Sequence, residues 1–441
     1  MIYQLKKAIK KILPPAVLRL YHLGLAFGGA LLYGFPARRM VVIGVTGTKG
    51  KSTVVSLLHE ILRDANLGVA SISSVRFKIN DREWSNELKM TMPGRFGIQS
   101  FFRQALQENC HYAILEVTSE GIKQYRHRFI DFQVAVFTNL EPEHIESHGS
   151  FENYKQAKGE LFELLKGNKK SVSVINLDDR HADYFLSFNA GQKYGYSLSS
   201  PRAKMTGQNI SIIETSDYRP ANWGSEFKIK GQSIHLNLLG QFNIYNALAA
   251  TSAALALGVD LKTIGVALSK IKAMPGRMET VIGQPFSVIV DYAHTPDSLE
   301  KAYEAVKSIT GAGRRIIGVL GAAGGGRDKW KRSEMGKLAT QYCDYIILTD
   351  EDPYDEDPKQ ILSEIKAAII DQTFPLANLW EILDRRLAIA KALELAQEGD
   401  VVIITGKGSE LWMCLANGKK IPWSDKKIIL EELDKTKKQH Y

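Results

Sequence analysis

Val41-Val42-Ile43-Gly44-Val45-Thr46-Gly47-Thr48-Lys49-Gly50-Lys51-Ser52-Thr53 is the stretch on which the reading of this chain turns. An apolar, β-branched run feeds a glycine-rich turn ending in Lys-Ser-Thr, the pattern of a buried strand passing through a phosphate loop into a helix. In such a turn, backbone N–H groups converge on phosphate oxygens. Lys51 supplies a cation for the β- and γ-phosphates, and the Ser52 hydroxyl can ligate Mg²⁺ at the helix start. The leading glycine is Gly47 and Val45 stands five before Gly50, so the loop is shorter than the common Walker spacing. The bland alternative is a strand-to-helix turn with no ligand, and Gly-Lys-Ser in this context argues against it.

Outward from the loop, short β-rich runs alternate with helical ones. Strands are expected at residues 112–116, 134–139, 173–176, 287–291, 316–320, 345–349 and 401–405. That is an α/β chain with mainly parallel sheets: a phosphate-loop-type central domain at residues 40–274 and a C-terminal Rossmann-like α/β domain at 275–441. The texture between 191 and 239 is alternating and turn-rich, as in Glu226-Phe-Lys-Ile-Lys-Gly-Gln-Ser-Ile-His-Leu-Asn, and reads as an antiparallel hairpin addition. The alanine-rich run 246–257 reads as a buried helix, and Met274-Pro275-Gly276-Arg277 as a boundary.

With 441 residues and 44% hydrophobic content the chain can bury more than one core. The net charge of +9 is concentrated at the ends, at Lys6, Lys7, Lys10, Lys11 and Lys435, Lys437, Lys438, which argues against a nucleic-acid partner. Three widely separated cysteines build neither a disulfide framework nor a four-cysteine zinc site, and suit a reducing cytoplasm. Residues 1–39 form a basic and apolar helical segment. An interfacial anchor, a helix packed on the protein and a membrane span all stay open for it; a cleaved signal peptide does not suit it.

Further motifs follow in order: Glu116-Val-Thr-Ser-Glu-Gly121, Thr138-Asn-Leu-Glu-Pro-Glu-His-Ile-Glu-Ser-His-Gly149, Tyr154-Lys-Gln-Ala-Lys158, and Gly240-Gln-Phe-Asn243 with Asn246. Then come Pro275-Gly-Arg-Met-Glu279, Asp291-Tyr-Ala-His-Thr-Pro296, Gly326-Arg-Asp-Lys329 and Gly406-Lys-Gly-Ser-Glu410. Together with the phosphate loop, this series resembles the Mur ligase family, and within it the branch that adds the third residue of the peptidoglycan stem peptide. The resemblance implies an ATP-dependent amide ligase. The γ-phosphoryl group passes to a carboxylate of a muramyl dipeptide, and the amine of an amino acid, here a diamino acid, attacks the acyl phosphate.

Residue by residue, the resemblance makes Lys51, Glu116, His144 and Lys158 catalytic. Ser52, Glu116, His144 and Lys158 surround two Mg²⁺ sites, Lys158 as a carbamate formed with CO₂. Gly47, Thr48, Lys49, Gly50, Lys51, Ser52, Thr53, Asn243, Asn246, Arg277, Asp291 and His294 would bind the nucleotide. Thr91, Thr118, Gln124, Arg126, Arg327, Asp352, Gly406 and Glu410 would bind the acceptor and the amino acid. Taken singly, Glu116 is a strand-end carboxylate, His144 a loop histidine, Lys158 a surface cation, and Asp291–Pro296 a capped turn; the ordered series is what raises them above those readings.

Departures matter as well. Met90-Thr91-Met92-Pro93 replaces Asn-Thr-Thr-Pro, Thr118 replaces a serine, Glu120 stands where the family often has histidine, and Ser409 replaces the last motif's histidine. Glu351-Asp352-Pro353-Tyr354 replaces the Asp-Asn-Pro-Arg of diaminopimelate users. The arginine that would pair with a distal carboxylate is therefore missing, and the acidic run suits a distal ammonium or is a set of solvated loop acids. About forty residues precede the phosphate loop where the family places a UDP-binding domain, which leaves the carrier open between UDP and lipid. The expected setting is a cytoplasmic monomer that contacts the inner face of the membrane through residues 1–39. The competing functions are a Mur-like amidating ligase subunit, a folylpolyglutamate-type ligase and a non-enzymatic nucleotide-binding scaffold.

Overall fold

In the computed structural model of the chain, Val41–Thr46 forms a strand (β1) buried from Val42 onward, with neighbours on both sides. The description covers residues 14–88, 90–143, 145–198, 209–221, 224–326 and 329–439. These divide into two compact units. One runs to Ile271 apart from residues 220–225 and 237–241, and the other takes those two stretches and everything from Lys272.

In the first unit the following strands are Val69–Ile72 (β2), Arg76–Ile79 (β3), Arg82–Ser85 (β4), Tyr112–Glu116 (β5), Phe132–Phe137 (β6), Val172–Asn176 (β7) and Gln192–Ser197 (β8). Ser211–Ala221 (β9), Gly224–Ile229 (β10) and Gln232–Leu236 (β11) complete one sheet in the order β11-β10-β9-β8-β7-β6-β1-β5-β2-β3-β4. The centre, from β2 to β9, is parallel. Parallel strands covered by helices on both faces must be apolar throughout, and Val42, Ile43 and Val45 are fully buried accordingly. Register pairs Val45 with Glu116 on one side and with Val136 on the other. The C-terminal ends of β5, β1 and β6 therefore open side by side, the crevice in which α/β sheets bind ligands.

The expected strand 134–139 ends two residues early. Thr138 Oγ1 and Asn139 Nδ2 both donate to the Lys49 carbonyl, at 2.7 and 3.1 Å, which draws the chain off the ladder and onto the phosphate loop. The expected hairpin is β10 and β11, turning at Lys230-Gly231, both with positive φ. The alanine-rich helix begins earlier than expected and spans Gln241–Ala256.

A helix over Pro15–Leu32 (α1) packs on the helix Arg95–Gln107 (α2), where small residues allow close approach. Ala26 and Ala30 are buried, and a Cβ on Gly29 would lie 3.4 Å from the backbone of Arg95 and Phe96. One face of this helix therefore packs on the protein. Among the described residues no helix is long and apolar enough to cross a membrane.

The second unit is a six-stranded sheet of Glu279–Ile282 (β12), Ser287–Val290 (β13), Ile316–Leu320 (β14), Tyr345–Leu348 (β15), Leu379–Glu381 (β16) and Val401–Ile404 (β17), ordered β12-β13-β17-β14-β15-β16. Every pairing but β12–β13 is parallel, the Rossmann-like arrangement expected. Val290, Val319 and Ile404 pack with Ala388, Ile389 and Ala392 of the helix Arg385–Leu395.

Candidate active site

The phosphate loop is shaped by two glycines that no other residue could replace without strain. Gly47 has φ +150°, and a Cβ there would come within 1.9 Å of Thr138 Oγ1. Gly50 has φ +82°, and its Cβ would meet Asn246 Oδ1 at 2.2 Å. Asn246 Nδ2 in turn donates to Asn243 Oδ1 at 3.0 Å, so both asparagines stand behind the loop in this unit. Lys49 N donates to Asn139 Oδ1 at 2.9 Å and its ammonium pairs with Glu143 at 3.0 Å. Thr48 Oγ1 meets the Tyr154 hydroxyl at 3.1 Å, and Thr53 is buried in the first helical turn.

Ser52 and Glu116 come together as expected. Ser52 Oγ donates to Glu116 Oε2 at 2.8 Å, and Ser74, for which the sequence carries no signal, adds its backbone N–H to the same oxygen at 2.8 Å and its hydroxyl to Ser52 at 2.8 Å. Lys51 Nζ donates to the Thr48 carbonyl at 2.8 Å and lies 4.0 Å from Glu116 Oε1. A hydroxyl and a carboxylate beside a phosphate loop are the hard oxygen donors Mg²⁺ takes when phosphate oxygens and water complete its shell. No cluster of three or more His, Cys, Asp or Glu able to hold a metal by itself occurs among the described residues, and His144 lies outside them.

Lys158 is buried beneath the loop, correcting the surface-cation alternative. Helix Phe151–Glu163 turns it inward, so that Nζ donates to the Gly47 carbonyl at 2.6 Å and sits 4.4 Å above the Tyr154 ring. Burial, then the neighbouring Lys51 charge, hold its pKa well below the ordinary lysine value. Tyr154, whose phenol burial pushes upward, belongs to this group and was legible only as part of the Tyr154–Lys158 motif.

Of the residues expected to bind the acceptor, Thr118 caps a short helix by accepting from Gly121 N at 3.1 Å. Arg126 Nη2 donates to Gln124 Oε1 at 2.8 Å, Gln124 Nε2 donates to Glu120 at 2.6 Å, and Thr91 stands half-buried nearby in sequence to Met92, whose carbonyl accepts from Arg126.

The second unit assembles the remaining residues, except Arg327, which lies outside the described ones. Asp291 ties two loops together, accepting from Met278 N of the Pro275–Glu279 loop and from Ala293 N of its own turn at 2.7 Å each. Arg277 stacks over the Tyr292 ring at 4.3 Å, and His294 Nδ1 lies 2.8 Å from the Tyr292 carbonyl. A Cβ on Gly276 would come within 2.0 Å of Ser409 N, so the Pro275–Glu279 and Gly406–Glu410 loops are in direct contact.

The acidic run is not solvated. Lys407, buried and missed as a site residue though it sits in the Gly406 motif, pairs with Asp352 at 2.8 Å and Glu410 at 2.6 Å. Glu410 also accepts from the Tyr292 hydroxyl at 3.2 Å. Burial raises Asp350 to about 6 and Glu351 to about 7. Glu351 Oε2 would lie 2.3 Å from a Cβ on Gly406, so glycine is required there.

Residues 45–254 match the Mur ligase middle domain and 276–408 the Mur ligase glutamate ligase domain. The chain belongs to the Mur ligase family. Among its relatives, the UDP-N-acetylmuramoyl-L-alanyl-D-glutamate--2,6-diaminopimelate ligase of Geobacillus kaustophilus is 38% identical, covering 87% of this chain and 77% of that protein. The UDP-N-acetylmuramyl-tripeptide synthetase of a Roseiflexus species is 35% identical over 90% of this chain and 79% of its own length. A solved UDP-N-acetylmuramoyl-L-alanyl-D-glutamate--2,6-diaminopimelate ligase superposes with a TM-score of 0.62 at 31% identity, covering 91% of this chain and 79% of that one. This Mur ligase is thus an ATP-dependent enzyme that forms amide bonds.

Proposed function

We propose that the enzyme joins a diamino acid to the glutamyl carboxylate of a muramyl dipeptide during peptidoglycan precursor synthesis. The convergence of Ser52, Glu116 and Lys51 at the phosphate loop, with Lys158 beneath it, is the observation that carries this reading. The names of the relatives supply the substrate class. ATP would lie along the loop N–H groups, and Mg²⁺ held by Ser52 and Glu116 would neutralise phosphate charge. A second Mg²⁺ would draw on His144 and a carbamate on Lys158. Lys51 steadies the transferred phosphoryl group, and the acceptor carboxylate attacks it, with ADP leaving. The amine then attacks the acyl carbon, phosphate departs and the ammonium proton is lost. Arg126 and Gln124 orient the acceptor, while Glu410, oriented by Lys407 and Tyr292, faces the amine. Phosphate release with UDP-linked muramyl dipeptide and a panel of diamino acids tests the reading; release without amide product sinks it.

Tyr354 in place of arginine leaves a distal carboxylate without its bidentate partner. Discrimination for diaminopimelate over lysine is expected to stay below about tenfold, or 1.4 kcal/mol, in kcat/KM. Selection well above that would require another cation for the distal carboxylate.

The outer face of α1 supports contact with an anionic lipid surface. Val17, Leu20, Tyr21, Phe27 and Leu31 recur at helical spacing and are exposed, and Lys6, Lys7, Lys10 and Lys11 precede them. The lysine calls lie outside the described residues. Each lysine near the surface adds about 1 kcal/mol, so binding to phosphatidylserine vesicles should weaken as salt rises. Leu20→Glu with Leu31→Glu should release the enzyme while preserving turnover; wild-type protein that stays off the vesicles at low salt would end the idea. The enzyme would then work at the inner face of the membrane, as a monomer.

A further inference from the structure

Arg95 opens α2, and Arg126 follows the short helix Ser119–Lys123, whose C-cap is Gln124. Both guanidinium groups close on that glutamine: Arg95 Nη2 donates to its carbonyl and Arg126 Nη2 to its Oε1. Their other contacts are poor for cations. Arg126 Nη2 is 3.0 Å from the Met90 thioether, a weak acceptor, and Nη1 donates to the Met92 carbonyl. Arg95 Nη2 is 2.6 Å from His22 Nδ1 of α1, and since arginine only donates, His22 accepts there. The Nε atoms of both arginines are buried and have no hydrogen-bond partner among the described residues.

Among the described residues neither arginine makes an ion pair. Glu120, whose charge reaches Arg126, is held by Gln124 Nε2 at 2.6 Å and Ser147 Oγ at 3.2 Å. Arg126 is only 8% exposed. Two guanidinium groups kept charged, close together and largely out of water without a carboxylate are a costly arrangement that an incoming oxyanion relieves. Burial, followed by the Arg126 charge, pushes Arg95 below its ordinary value, as expected for such neighbours. Met90 is 42% exposed, and its thioether can be exchanged for a stronger acceptor.

We infer that Arg95, supported by His22, joins Arg126 in clamping an oxyanion of the acceptor, with Met90 as the cover that the oxyanion displaces. This rests on the muramyl-dipeptide reading above. Arg95 is thereby a specificity-determining residue and α1 part of the acceptor site. The oxyanion has two sources in such an acceptor: the glutamyl carboxylate that is not activated, and the diphosphate of the carrier.

Steady-state kinetics with three acceptors tests the inference: UDP-linked muramyl dipeptide, the same molecule with its free glutamyl carboxylate converted to carboxamide, and muramyl dipeptide without UDP. Arg95→Ala should raise the KM of the complete acceptor about ten- to a hundredfold, the loss of one charged hydrogen-bonding partner, with the KM for ATP and kcat little changed. Arg95→Lys should recover part of the loss, and His22→Ala should give a smaller rise. The penalty should vanish with the carboxamide if the carboxylate is bound, or with the UDP-free acceptor if the diphosphate is bound. An unchanged KM, an equal penalty with all three acceptors, or a fall in kcat accompanied by a rise in both KM values that lysine does not restore would overturn the inference. Wild-type protein inactive with all three would overturn the muramyl reading and this inference together, whereas an active wild type with an unaffected Arg95→Ala overturns the inference alone.

Discussion

Replacing Lys51 by alanine is expected to lower kcat for ATP-dependent ligation by about a thousandfold or more, the order of loss when a preorganised charge is removed from a phosphoryl-transfer site. The enzyme has to bring an anionic carboxylate to an anionic triphosphate, and Lys51 is the loop cation whose ammonium lies within 4.0 Å of the Glu116 carboxylate and 2.8 Å from the Thr48 carbonyl. The Lys51 hydrogen bond to the neutral Thr48 carbonyl and its long ion pair with Glu116 are together worth about 1 kcal/mol of stability. The glycine conformations and the Ser52–Glu116 bond that shape the loop do not depend on it. Folding measured by circular dichroism should be retained while phosphate release disappears. Turnover within tenfold of wild type would show that the loop does not cradle the transferred phosphate.

Lys158→Ala is expected to cost nearly as much activity, but for a different reason and with a different signature. A lysine at the surface is protonated and inert toward CO₂, whereas burial holds the Lys158 amine well below its ordinary pKa and so favours the neutral nucleophile. Attack of that neutral amine on CO₂ would form a carbamate and release one proton, placing an anion where an uncharged amine donates to the Gly47 carbonyl. Short carboxylates such as formate or acetate should enter the space left by alanine and restore part of the rate. Intact-protein mass measured under CO₂ should show the adduct on wild type and not on Lys158→Ala. Full activity of the variant, or a loss that no carboxylate relieves, would rule out the carbamate.

Much of this enzyme was legible from local signals. The run from Val41 to Thr53 determined a buried strand, a phosphate loop and a helix, because β-branched residues, glycines and Lys-Ser each satisfy a local requirement of backbone or phosphate. The alternating apolar runs determined two α/β units with mainly parallel sheets for the same reason, and strand limits erred by a residue or two where side chains such as Asn139 drew the chain toward the loop.

Tertiary structure alone decided whether a charge is spent or available. In sequence, Asp350-Glu351-Asp352 reads as a possible ammonium site, yet Asp352 is neutralised by Lys407, 55 positions away, and burial raises its two neighbours. Taken singly, Lys158 reads as a helix-surface cation, whereas in the fold the Gly47 carbonyl, 111 positions away, receives it. Arg95 carried no motif, and only the packing of α1 on α2 brought His22 to it, while among the described residues neither Arg95 nor Arg126 meets a carboxylate in an ion pair. Backbone preferences act over a few residues and can be read along the chain, whereas desolvation and Coulomb interactions depend on distance in space, which folding sets.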